Sequence, residues 1–176
     1  MGAGISLPGW SSDAAPPRSG WPWVGGILVL ALVVDLVCFR GYTSYDDGDY
    51  FDATARLVET GRLGEELRFG KDRLVLLGWN CLVASLFGLN AQLLAGSYVC
   101  FHLALIVLTF LLGRRVYGRT AGLIAAYYVA TVPLIILYST SMYPDLPLAC
   151  FVVLALLAFG WGYAGVSPPE SQQGQH

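Results

Sequence analysis

The chain has 176 residues, of which 56% are apolar and 12% charged, and its formal net charge is −2. A soluble domain carries about 25% charged and 45–50% apolar residues, so the main solvent implied here is lipid. Disorder, a disulfide-rich secreted scaffold and the binding of a polyanion such as nucleic acid are all poor fits, and the length leaves room for only four or five hydrophobic segments.

Residues 1–22, with Pro8, Pro16 and Pro17 among glycines and serines, read as a disordered cytoplasmic tail. The first apolar run, 23–39, is long for the core of a signal sequence. Its flank reads Val37-Cys38-Phe39-Arg40, with no small-x-small cleavage site, so the run is taken as a retained anchor. A charged loop, 40–73, follows. Within it the stretch 49–60 has helical spacing: Tyr50, Ala53, Leu57 and Val58 share one face, Asp52 and Arg56 form an i,i+4 pair, and Gly61 is a natural stop. An amphipathic helix along the membrane surface is expected there.

Four more apolar runs complete the chain: 74–89, 91–113, 120–137 with an internal Pro133, and 146–163. Asp35 is the one formal charge in any of the five runs. A bilayer core needs about 20 apolar residues as helix, and backbone groups in lipid must be satisfied within the segment. The run 74–89 is short and is expected as an interfacial or re-entrant helix. The fold class is therefore all-α: a polytopic helical membrane protein with four transmembrane helices, one short interfacial or re-entrant helix and one amphipathic loop helix. The membrane module covers 23–163, and 164–176 reads as a second disordered tail.

Arg114, Arg115 and Arg119 form the densest short basic loop, which the positive-inside rule puts in the cytoplasm. With a cytoplasmic amino terminus and an even number of crossings before it, the loop 40–73 and the turn 139–145 share the non-cytoplasmic face of a plasma or inner membrane. Cys38, Cys81, Cys100 and Cys150 have no metal-like spacing and read as small buried apolar residues.

The groups able to carry chemistry gather on that expected outer face. For Asp46 and Asp47, three readings compete: helix capping with favourable dipole contacts, a metal site with Asp46, Asp49 and Asp52 at i,i+3 spacing, and general-base catalysis by paired carboxylates at an apolar boundary. Asp145, between Pro144 and Pro147, is a helix cap or a second site carboxylate. Arg56, Arg62, Arg68, Lys71 and Arg73 either hold a phosphate or diphosphate head group or neutralise the loop's own acids. Asp35 either joins the acids or pairs with Arg40. His102, inside an apolar run, reads as a packing or helix–helix hydrogen-bonding residue.

In order along the chain, Asp46-Asp47, Ala55-Arg56-Leu57, Thr60-Gly61, Leu86-Phe87-Gly88, Leu112-Gly113-Arg114-Arg115, Pro133 and Pro144-Asp145 resemble the amino-terminal region of GT-C-fold integral-membrane glycosyltransferases. That group includes protein O-mannosyltransferases and bacterial aminoarabinose transferases (glycosyltransferase family 39-like). The resemblance implies a sugar donor linked to polyprenyl phosphate and a carboxylate of the pair, Asp46 or Asp47, as base toward an acceptor hydroxyl. It also implies Asp145 as the second site carboxylate, with Tyr45, Arg56, Lys71 and Arg73 on the substrate side. It names no firm cofactor and leaves room for a divalent cation. The family's frequent Asp-Glu stands here as Asp46-Asp47, and its Lys-Pro-Pro as Lys71-Asp72-Arg73. Such enzymes usually have about a dozen spans, so the expectation is a truncated or split product that works with a carboxy-terminal portion or partner subunit. The alternative expectation is a non-catalytic membrane protein that packs against a partner.

Overall fold

The computed structural model describes residues 20–42, 46–62 and 74–166. Among these there are eight helices and no strand. Helix α1 covers Trp21–Val37, α2 Asp46–Thr60, α3 Leu74–Phe87, α4 Ala91–Ser97, α5 Val99–Tyr117, α6 Arg119–Thr131, α7 Pro133–Ser139 and α8 Asp145–Val166. Helix α1 thus starts two residues before the expected run, and α8 ends three after it.

Local chemistry sets the breaks. Asn90 caps α4, its side chain accepting from the amides of Gln92 at 2.9 Å and Leu93 at 3.3 Å. Gly118, the single residue between α5 and α6, has φ +89°, a conformation that side chains with a Cβ rarely adopt. Val132 is extended and Pro133 opens α7, because proline is well suited to the first turn of a helix and not to its interior. The axes of α6 and α7 are bent by 63° at this point.

Helix α5 is the hub and touches α1, α4, α6, α7 and α8. Its closest neighbour is α6. A Cβ on Gly113 would lie 2.9 Å from the Gly122 Cα, and a Cβ on Gly122 would lie 2.7 Å from the Phe110 carbonyl oxygen. Two glycines face to face let the backbones approach, as small residues do in lipid-embedded helix pairs. Around that contact, Val24 and Ala31 of α1 pack with Ile106 and Phe110 of α5 and Ala126 and Ala130 of α6. On the other side of α5, Leu105 meets Leu146 and Cys150 of α8. At the far end of α5, Arg115 donates to the Gly160 carbonyl at 3.3 Å and stands 6.0 Å from the Trp161 ring.

Among the described residues, two helical stretches are long and apolar enough to cross a membrane. They are Ala91–Tyr117, formed by α4 and α5 together, and Asp145–Gly162; α6 and α7 make a third if the bent pair is one span. The expected count of four is therefore two or three by length and composition. The difference lies in α1, whose 17 residues reach about 25 Å at 1.5 Å per residue, short of a core of about 30 Å. Helix α3 is shorter still and packs on α2 and α4. The cysteine expectation also needs correction: only Cys150 is buried, whereas Cys38 and Cys100 are exposed on the bundle surface and Cys81 is intermediate.

Candidate active site

Helix α2 begins at Asp46, so the acidic pair occupies its first turn. Asp47, Tyr50, Ala53 and Thr54 are buried and fall at helical intervals on one stripe. This stripe is not quite the expected one, because Val58 stays 45% exposed. The stripe has an acid at its head, and α2 turns that acid toward the protein. Thr54 satisfies its own hydroxyl by donating to the Tyr50 carbonyl at 2.7 Å. Ala53 packs on Leu77 of α3.

Asp47 is 1% exposed, and its Oδ1 accepts the amide of Met142 at 3.1 Å. Met142 belongs to the buried turn between α7 and α8, and Asp145 opens α8 three residues later. Tyr50, Tyr98, Leu76 and Met142 lie in one core cluster beneath this contact. Tyr98 donates to Asn80 Oδ1 at 3.1 Å. Two polar atoms of this end, Asn80 Nδ2 and Ser141 Oγ, are buried with no hydrogen-bond partner among the described residues. A buried donor left unpaired costs about 1–3 kcal/mol, so such atoms ordinarily take a water as partner.

Asp145 is exposed in the first turn of α8. It borders an apolar groove of about 420 Å³ between α3 and α8, lined by Leu74, Val75, Leu76, Pro147, Leu148 and Phe151. A second hollow of about 320 Å³ shares Val75, Leu76, Pro147 and Phe151 with it and reaches Trp79, Tyr98 and Phe101. Leu76 and Tyr98 belong both to these walls and to the cluster under Asp47. The groove and the buried carboxylate are thus back to back.

The structure brings Asp47 and Asp145 to one end of the bundle. Arg114, Arg115 and Arg119 lie at the other, separated by the length of α5, about 28 Å for 19 residues. Arg56 is exposed on α2, away from the buried stripe. Tyr45, Lys71 and Arg73 lie outside the described residues, as does the side chain of Asp46, and so do 1–19 and 167–176 of the two expected tails; Trp21–Pro22 and 164–166 instead belong to α1 and α8. No group of three or more His, Cys, Asp and Glu among the described residues is arranged to hold a metal ion.

Asp35 neither joins the acids nor pairs with Arg40. It is buried inside the bundle, where it meets His102 at 2.7 Å and accepts from Ser139 at 2.7 Å. His102 makes the interhelical bonds expected of it. Asn80, Tyr98 and Ser141 escaped the sequence reading. Asn80 had a signal, as a lone amide inside the apolar run of α3; Tyr98 and Ser141 had none that separates them from other residues at span ends.

Residues 79–162 match the family model of dolichyl-phosphate-mannose-protein mannosyltransferases. The match covers just under half of the chain and includes Asn80, His102, Pro133, Met142 and Asp145. It leaves out α1 and α2, and with them Asp35 and Asp47. No curated protein and no solved structure gives a significant match.

Proposed function

We propose that the chain is a module of a membrane glycosyltransferase that moves a sugar, mannose by the family match, from a polyprenyl-phosphate carrier to an acceptor hydroxyl. The observation that carries this reading is the Met142–Asp47 hydrogen bond. It joins a helix outside the matched segment to the turn that leads into Asp145, and so sets two carboxylates beside one apolar groove.

In the proposed reaction Asp47 takes the proton of the acceptor hydroxyl as its oxygen attacks the anomeric carbon in line. The bond from that carbon to the phosphate oxygen breaks, and the lipid phosphate leaves with the bonding pair. Asn80 Nδ2 and the Ser141 hydroxyl orient hydroxyl groups near Asp47. The apolar groove between α3 and α8 takes the isoprenoid chain. Lys71 and Arg73, which precede the groove residue Leu74 in sequence, are assigned to the phosphate charge and Tyr45 and Arg56 to the substrate side, with Asp145 at the groove's rim.

Asp47→Asn keeps an oxygen for the Met142 amide and removes the base. Transfer from a radiolabelled polyprenyl-phosphate mannose, in membranes that hold the full chain, is expected to fall by about 10²–10⁴-fold, the usual contribution of general-base catalysis. Full activity in Asp46→Asn, Asp47→Asn and the double variant would falsify the reading. The burial of Asp47 also suits a second reading, in which the chain is a non-catalytic membrane protein. On that view the wild type transfers no sugar and Asp47→Asn alters stability alone.

A further inference from the structure

Asp35 of α1, His102 of α5 and Ser139 of α7 are each 0% exposed, and the proposed transfer gives them no part. Ser139 Oγ donates to Asp35 Oδ1, and His102 Nδ1 lies 2.7 Å from Asp35 Oδ2. On its other side, His102 Nε2 lies 3.2 Å from the Val129 carbonyl oxygen of α6. A carbonyl only accepts, so Nε2 carries hydrogen. One further proton is shared between Nδ1 and Oδ2, and whichever atom holds it the pair has no net charge. Such a pair can stay inside apolar surroundings, where a lone charge is expensive.

The Val129 carbonyl needs this donor because of Pro133. In a continuous helix the amide of residue 133 would donate to it, and proline has no N–H. His102 supplies the missing donor at the 63° bend, and Ser139 ties the far end of α7 to α1 through Asp35. From Ser139 the chain runs through Thr140 and Ser141, both buried, to Met142, whose amide holds Asp47. A single line of hydrogen bonds therefore runs from the last turn of α6 to the last residue of α7, and the turn after α7 delivers the amide that meets Asp47.

We propose that Asp35, His102 and Ser139 are positioning residues that set α7 and thereby hold the Met142 turn against Asp47. Their purpose rests on the reading of Asp47 as the working carboxylate, whereas the test below reads only where Asp47 sits. The network acts through hydrogen bonds and not through charge. Asparagine at position 35 reproduces it: the amide oxygen accepts from Ser139, the amide nitrogen donates to His102 Nδ1, and Nε2–H stays on Val129. Leucine at position 35 reproduces none of it.

The full chain in lipid nanodiscs is treated with a water-soluble carbodiimide and an amine, and modification of Asp47 is followed by mass spectrometry. Exposed Asp145 is the internal standard. Ser139→Ala, His102→Leu and Asp35→Leu are expected to raise the Asp47 rate about 5- to 10-fold, and Asp35→Asn to stay within about twofold of wild type, since a tenfold rise equals about 1.4 kcal/mol of easier local opening. Leu157→Ala controls for general loosening, because it empties a buried position of α8 about 18 Å along the helix from Asp145. The proposal is overturned by an unchanged Asp47 rate in Ser139→Ala, by an Asp35→Asn rate as high as that of Asp35→Leu, or by an equal rise in Leu157→Ala. Ser139→Ala removes one hydroxyl, so the result stands even if His102→Leu does not fold. Absence of sugar transfer by the wild type in a complete or complemented enzyme would sink the reading of the site and leave this labelling result intact.

Discussion

Asp35 and Asp47 are both carboxylates withdrawn from solvent, and they differ in what surrounds them. Asp35 sits in a closed set, in which Ser139, His102 and the Val129 carbonyl use one another's donors and acceptors. Asp47 accepts from a backbone amide at the end of the bundle where Asn80 Nδ2 and Ser141 Oγ have no partner among the described residues. Evenly satisfied polar groups rigidify a fold, and unsatisfied ones leave a need that a ligand can fill. By that criterion the Asp35 set is framework and the end carrying Asp47 is the proposed site.

The contrast can be broken by measuring unfolding in detergent or lipid. His102→Leu should cost about 3–5 kcal/mol, because removing one member of a buried pair strands the other. The double variant Asp35→Leu/His102→Leu should recover a large part of that loss; a strictly additive cycle would show that the two residues do not act together. Next in size is Gly122→Ala, for which overpacking against the Phe110 carbonyl and the Arg114 amide should cost about 1–3 kcal/mol. Asn90→Ala removes the cap of α4 and should cost about 1 kcal/mol, seen as a lower midpoint with an unchanged slope. Smallest is Asp47→Asn, expected to shift stability by less than about 1 kcal/mol because the acceptor for Met142 remains. A loss at Asp47 as large as that at His102 would erase the distinction between site and framework.

Much of this arrangement was legible in the sequence. The apolar runs gave the helices α1, α3 and α8 to within a few residues, because run length and the absence of charge report directly on lipid-facing helix; the runs 91–113 and 120–137 each hold two helices, and the break at Tyr98 between α4 and α5 left no mark in the apolar pattern. The spacing after Asp46 gave α2, although it put Val58 inside and missed that Asp47 turns inward. The break at Val132 was marked by Pro133, but not its 63° size, which depends on what packs against α7. Asp35 was misplaced for a physical reason. Its nearest cation in sequence is Arg40, whereas its partners come from two other helices, and pairing across helices leaves no trace in local spacing. The same holds for Asn80 and Tyr98, whose bond joins α3 to the turn between α4 and α5.

The bend at Pro133 carries a consequence for how the chain can change. A proline inside a helix usually leaves a carbonyl to be met by water or by a neighbouring backbone, and here a histidine on another helix meets it. The link between positions 102 and 133 therefore runs one way. Replacing His102 while Pro133 stands leaves the Val129 carbonyl without its donor, whereas replacing Pro133 with an ordinary residue restores an amide beside the imidazole, and a carbonyl with two lone pairs accepts both. Drift at position 102 is penalised for as long as the proline is kept, and loss of the proline relaxes that constraint.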